Sequence, residues 1–214
     1  MAVSEKGRIT LRRRASAEMI ERKSVFIGTA APVESEEEAR ALIEELRTRY
    51  HDATHNVYAY LLSGGAVARY SDDGEPQGTA GVPMLNTIKM SGATDLCVVV
   101  TRYFGGILLG AGGLVRAYSA AAKLAMDAAE IVTMTPFTVL EIRCGYSEYQ
   151  RLSAQLPKMG VTEDGAEFDT AVTVTVGVES TRVEEFLRAL SEMTSGRALA
   201  QIVGEEERPA PAAG

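Results

Sequence analysis

Two segments hold the side chains best suited to chemistry. In SDDGEPQGTAG, residues 71–81, Asp72, Asp73 and Glu75 set three carboxylates within four residues. Oxygen ligands this close can hold Mg²⁺ or Ca²⁺, but the spacing is not that of a calcium loop spread over about twelve residues. Asp side chains also cap turns. In TRYFGGILLGAGGLVRAY, residues 101–118, an apolar strand candidate passes through Gly105, Gly106, Gly110, Gly112 and Gly113 into a helix candidate. Glycine admits positive φ and close backbone approach. A helix entered this way presents free N–H groups that favour an anion. Arg102 and Arg116 flank the loop and suit a phosphate. The spacing is neither the dinucleotide fingerprint nor the phosphate loop that needs Gly-Lys-Ser/Thr. Two readings stay open: an anion or ligand site, or glycines that only permit a tight crossing from strand to helix.

The remaining reactive side chains point to less. His51 and His55 stand four apart, but no third or fourth zinc ligand accompanies them, and Asp52, Thr54 and Asn56 give the segment a loop character. His55 is retained as a polar site candidate, with a hydrogen-bonded structural histidine as the alternative. Cys97 and Cys144 sit in apolar β-like runs and read as buried free thiols. No Gly-x-Ser-x-Gly elbow occurs. No cofactor and no metal site is expected.

Periodicity supplies the elements that must position these residues. Ala39, Leu42, Ile43, Leu46 and Tyr50 follow helical spacing behind a capping box of Ser35 and Glu38. Val57–Leu62 and Ala66–Tyr70 form a hairpin candidate through Ser63-Gly64-Gly65, and Lys23–Val33 and Leu96–Thr101 are further strand candidates. Short and long helices are expected over Pro83–Met90 and Gly113–Ala129. Pro136 marks a break near 133–138, because proline stops a helix and biases its predecessor to extended geometry. Beyond it the pattern is βαββαβ, with capping boxes at Ser147/Gln150 and Thr181/Glu184 and a helix that ends or kinks at Pro157. That order predicts a ferredoxin-like unit. The expected organisation is α+β, with domains at 1–135 and 136–204 and a disordered acidic tail, EEERPAPAAG, over 205–214.

Composition narrows the classes. The 214 residues include 46% hydrophobic and 24% charged side chains, ordinary for a globular chain, and the net charge is −7. A surface basic all over and wrapped by nucleic acid is excluded. Residues 1–23 nevertheless hold seven basic and three acidic side chains, a balance of +4, while 24–135 and 136–214 carry −5 and −6. The basic stretch fits an edge strand or an electrostatic contact, and any RNA contact falls to it and to Arg102 or Arg116. No apolar run is long enough to cross a membrane, which needs about 18 residues, and no secretory signal opens the chain, so a cytoplasmic, reduced setting is expected.

SDDGEPQGTAGVPML together with VVVTRYFGGILLGAGGLVRAY resembles the signature of the Impact family, in its bacterial YigZ branch, and ERKSVFIGTAAPV and HDATHNVYAY fit its flanking segments. The resemblance spans about residues 15–130; beyond residue 136 it rests on the βαββαβ pattern alone. It implies a first domain of the βαβ type found in a ribosomal small-subunit protein and in domain IV of elongation factor G, and a second that is ferredoxin-like. It implies a role in translation, which eukaryotic members regulate through the general-control stress kinase, and no established enzymatic activity in bacterial members. The motif positions it carries over are His55, Asp72, Asp73, Gly74, Glu75, Pro76, Gly78, Thr79, Ala80, Gly81, Pro83, Arg102, Tyr103, Gly105, Gly106, Gly110, Gly112 and Gly113.

Two functions compete. One is a non-enzymatic, translation-associated protein that contacts RNA, the ribosome or a protein partner through the motif loops. The other is a Mg²⁺-dependent enzyme or binder of nucleotides or phosphate compounds, with metal on the acidic loop and phosphate on the glycine loop.

Overall fold

The computed structural model describes residues 7–210. The fold is α+β, and the chain divides between Thr133 and Met134 into two compact units. In chain order the elements are β1 (Arg8–Leu11), β2 (Ala15–Glu21), β3 (Ser24–Pro32), α1 (Glu36–Arg49), β4 (His55–Leu62), β5 (Val67–Ser71), α2 (Gly81–Ser91), β6 (Leu96–Tyr103) and α3 (Ala111–Ala129). There follow β7 (Ile131–Cys144), α4 (Tyr146–Gln155), β8 (Thr162–Phe168), β9 (Val172–Glu179), α5 (Val183–Thr194) and β10 (Leu199–Pro209).

In the first unit the sheet runs β2-β3-β6-β4-β5, antiparallel throughout. β3 and β4 both pair with β6, which lies between them, so they run the same way and α1 connects them. This is a βαβ unit split by an inserted strand. The central strand β6 is buried on both faces, and its period of two sorts its residues. Cys97 and Val99 pack with Leu42, Ile43 and Leu46 of α1. Leu96, Val98 and Val100 pack on the other face with Met84 and Ile88 of α2 and Leu114, Tyr118 and Ala122 of α3. The same alternation delivers Arg102 to the α2/α3 face at the end of the strand.

Local chemistry sets the helix ends. Ser35 accepts the Glu38 N–H at 3.1 Å, while the Glu38 carboxylate accepts the Glu34 N–H at 2.8 Å. α3 is rich in alanine and lies close to the sheet: a Cβ on Gly28 of β3 would stand 2.6 Å from the Ala121 carbonyl oxygen. β2 and β3 are joined through Arg22 and Lys23, with φ of 44° and 65°. Positive φ at both central residues suits the twist of a two-residue hairpin.

In the second unit the order is βαββαβ, and the strands lie β10-β7-β9-β8, all antiparallel. Leu140, Ile142, Val174 and Val176 of the sheet pack with Leu152, Phe186 and Leu190 of α4 and α5. α4 ends at Gln155 and passes at Pro157 into a short 3₁₀ turn closed by Gly160 in the left-handed region.

Several expectations require correction. Ser147 and Thr181 do not cap their helices: Gly145 and Arg182 occupy those positions without a side-chain bond, and the hydroxyls donate instead to Glu148 and Glu179. α3 is stopped by Glu130 at φ 61°, and Pro136 lies inside β7. Proline is tolerated there because the β7–β9 ladder begins only at Phe137. The acidic tail is not disordered over 205–209. Those residues continue β10 against β7, and Arg208 forks onto both oxygens of Asp164 while its guanidinium stacks on Phe137. A run of glutamates stays ordered when every second residue is tied by a ladder and the following arginine has a carboxylate to meet. Residues 211–214 lie outside the described residues.

Two outcomes test this packing. Gly28→Ala forces a methyl against α3 and lowers unfolding stability by about 1–3 kcal/mol in urea denaturation; an unchanged midpoint would show that α3 does not sit this close. Cys97 is sealed in the sheet, and burial pushes its thiol up from 9.0 to about 12. The unfolded chain then ionises first, so the contribution of Cys97 is intact below pH 9.0 and is lost as pH rises toward about 12. A thiol reagent near neutral pH accordingly labels Cys97 only through unfolding, at a rate that denaturant raises in step with loss of structure.

Candidate functional site

At the end of β6, the Arg102 guanidinium and the Glu75 carboxylate form an ion pair in which Nη1 donates to Oε1 at 2.6 Å, with side chains only 6% and 4% exposed. The Tyr118 hydroxyl of α3 donates to the same Oε1 at 2.7 Å, and Arg102 Nη2 donates to Ser24 Oγ at 3.2 Å. The guanidinium also lies against Phe26 and Phe104, 5.4 and 5.5 Å from their ring centres. Burial pushes the Tyr118 phenol up, and its bond to Glu75 adds to that, so it remains a donor. His55 completes the cluster. Its Nδ1 lies 2.8 Å from the Asp73 carbonyl, which can only accept, so Nδ1 carries the proton and Nε2 turns to Glu75 Oε1 at 3.8 Å.

The acidic loop is held by its own side chains. Asp72 accepts the N–H groups of Gly78, Ala80 and Gly81 at 2.8, 3.1 and 2.8 Å and so caps α2. Asp73, at φ 45°, accepts the Asn56 N–H at 2.6 Å and reaches Arg47 at 3.3 Å. The three carboxylates therefore diverge to three different partners and do not converge as metal ligands. Among the described residues no group of three or more His, Cys, Asp or Glu is placed to hold a metal ion.

The acidic and glycine-rich loops do meet. A recess of about 390 Å³ is lined by His55, Gly74, Glu75 and Pro76 on one side and by Arg102, Phe104, Leu108, Leu109, Gly110 and Ala111 on the other. Its glycine-loop wall is fixed by Gly105, where a Cβ would lie 2.0 Å from the Lys23 carbonyl carbon. The Gly105 N–H donates to Ser24 Oγ, and the Phe104 N–H to Thr54 Oγ1. At the far end α3 starts from Gly110, at φ 72°, with no side-chain cap and no acidic residue in its first turn. α1, by contrast, begins with a serine cap and three glutamates. The N-terminus of α3 thus keeps its backbone donors and its partial positive charge.

Of the two arginines flanking the glycine loop, one is spent on Glu75. Arg116 is exposed and makes no ion pair among the described residues; its Nη1 lies 3.6 Å from where a Cβ on Gly112 would stand. Tyr103 points away from the recess, on the other face of β6, and donates to Asp52 at 2.8 Å, a bond that pushes its phenol up. Gly106, Gly112 and Gly113 shape the loop and the first turn of α3 rather than line the recess. Most of the basic N-terminal segment is neutralised locally: Arg12 and Arg13 pair with Glu130, Arg14 with Glu45, and Arg8 with Asp95. Arg22 and Lys23 stay exposed, beside the glycine loop. Residues 137–203 do not supply any lining of this recess.

Sequence reasoning missed Ser24, Thr54, Phe26 and Phe104. It also missed the Tyr118 hydroxyl at Glu75. A buried tyrosine hydroxyl requires a partner, and that rule was the available signal.

This fold and these loops define a two-part class. The model of the Impact N-terminal domain matches residues 22–126, and that of a domain of unknown function (DUF1949) matches residues 142–197. IMPACT family member YvyE of Bacillus subtilis is 32% identical over 189 residues, covering 88% of this chain and 87% of that protein. IMPACT family member YigZ of Escherichia coli is 34% identical over 178 residues, covering 82% and 87%. A crystal structure of a hypothetical protein, 30% identical, superposes with a TM-score of 0.59 over 93% of this chain and 98% of that one. The chain belongs to the IMPACT family, in its bacterial YigZ branch. The Protein IMPACT homolog of Dictyostelium discoideum is 42% identical over 95 residues, 42% of this chain and 27% of that protein.

A double-mutant cycle tests the ion pair. Arg102→Met or Glu75→Gln alone leaves a buried charge unpaired and costs about 3–5 kcal/mol, while the double variant recovers most of that loss. Additive losses would contradict the coupling.

Proposed function

We propose that this protein is a non-enzymatic, translation-associated binding protein whose first unit contacts RNA of the translation machinery through the rim of the recess. One observation carries the reading. The side chains that would do chemistry, Asp72, Asp73, Glu75 and Arg102, are engaged in holding the two loops together, whereas the groups left free at the rim are contact groups. Those are the amides of the α3 N-terminus, Arg116, Lys23 and the half-exposed ring of Phe104, beside an exposed Arg22 that is tied to the Leu108 carbonyl. Cations with an aromatic ring among them suit a phosphate backbone and its bases.

Further features support the reading. The split βαβ arrangement of β3, α1 and β4 fits the likeness to domain IV of elongation factor G, and the strand order β10-β7-β9-β8 fits a ferredoxin-like second domain. The second unit is acidic and is assigned no RNA contact. The competing Mg²⁺-dependent reading has no converging carboxylates to rest on.

The protein should co-sediment with ribosomes at low salt and be released as salt rises, with the steep dependence that phosphate contacts impose. Protein that stays in the supernatant at the lowest salt would overturn the proposal.

A further inference from the structure

Glu75 is buried, and its Oε1 accepts from both Arg102 and Tyr118. Its other oxygen, Oε2, meets no donor among the described residues. The sealed side-chain atoms without a partner among those residues are Thr94 Oγ1 and Arg102 Nε, so Oε2 keeps an opening, and Glu75 lines the recess. Pro76, Leu109 and Leu114 also line that recess, and a carboxylate oxygen open to it takes its donor from solvent or from a ligand. At the other end of the same cavity stand Gly110 and Ala111, where α3 starts without a side-chain cap; Gly112, Gly113 and Arg116 follow on the first turns of α3, just outside the recess. Phe104 lies between these ends. Arg102 covers one side of its ring, and 45% of the residue remains exposed.

An acceptor for a donor edge, a flat ring and an anion-binding helix end therefore surround one cavity. We propose that the recess holds one nucleotide of single-stranded RNA. A base bearing an exocyclic amino group sets that group on Glu75 Oε2 and stacks on Phe104. Its phosphate lies at the start of α3 beside Arg116. Adenine, cytosine and guanine offer such a donor, whereas uracil has no exocyclic amino group and its single N3–H is flanked by two carbonyl oxygens that the carboxylate repels. A cavity of about 390 Å³ falls within the range of sites that enclose small ligands. Arg22 and Lys23, on the adjacent turn, extend the positive path for neighbouring phosphates. This deepens the RNA-contact reading above and rests on it.

The test is fluorescence anisotropy with short labelled oligomers of A, C and U, and with AMP as competitor. The intact protein should bind the A and C oligomers at least about fivefold tighter than U. Phe104→Ala should weaken the A oligomer on the order of tenfold, and Arg116→Ala should reduce the salt slope by about one. Arg116→Ala changes an exposed side chain and should keep the native melting temperature, whereas Phe104→Ala also removes a ring from Arg102 and should lower it modestly while the protein stays folded. Glu75→Gln should erase the discrimination against U; should that variant fail to fold, the two surface variants decide alone. Equal binding of U and A that Phe104→Ala leaves unchanged would overturn the recess proposal while leaving RNA contact elsewhere on the protein intact. No binding of any oligomer would overturn both. AMP competing as tightly as the A oligomer binds would assign the recess to a free nucleotide and overturn the RNA claim.

Discussion

A guanidinium and a carboxylate sealed together at the end of β6 hold the first unit's working end in one arrangement. Glu75 comes from the loop after β5, Arg102 from the central strand, Tyr118 from α3 and Ser24 from the start of β3. Separating any one of them strands a buried charge or a buried donor, and such a loss costs more than the pair itself contributes. The pair therefore matters less as a source of net stability than as a constraint: it forces the acidic loop onto the glycine loop. The contacts of Phe26 and Phe104 with Arg102 and the edge-to-face packing of Tyr118 against Phe26 at 5.3 Å make the constraint stiff.

The same economy decides what remains for a partner. Asp72 spends its carboxylate on the start of α2, Asp73 on the start of β4, and Glu75 one oxygen on Arg102 and Tyr118. Among the described residues no side chain caps α3. Two helices of one unit thus begin in opposite ways: α2 is closed by an internal carboxylate, while α3 is left open beside a recess with an unpaired arginine. The glycines serve this asymmetry. Gly105 lets the loop lie against the Lys23–Ser24 backbone, and Gly110 takes the positive φ that turns the chain into α3 without a side chain over the free amides.

Much of this was legible in the sequence, for reasons that differ by element. The amphipathic spacing of α1, the apolar run of β6 and the hairpin at Ser63-Gly64-Gly65 are strong local signals, and tertiary packing agreed with them. The two loops were identified as the places where chemistry-bearing residues gather. Their meeting was not legible, because it depends on Arg102 and Glu75, 27 residues apart, being brought together by the sheet. Nor could charge counting tell a spent arginine from a free one: Arg102 and Arg116 look alike in sequence, and only burial separates them. The basic N-terminal segment does supply an edge strand, β2, as one of its two readings held, but charge counting did not show that most of its arginines meet glutamates or aspartates of the same unit; the acidic tail was misjudged, because a strand ladder overrode composition. The capping boxes at Ser147 and Thr181 failed because the helices begin one residue before and two residues after the serine and threonine, respectively.

The buried pair brings the two loops together around the recess. Titration of isotopically labelled protein with an adenine-rich single-stranded RNA, followed by amide NMR shifts, tests it most directly. The largest changes should fall on Gly74, Glu75, Phe104 and the first turn of α3, Ala111 to Gly113. Changes confined to other surfaces, with those amides unmoved at saturation, would contradict it.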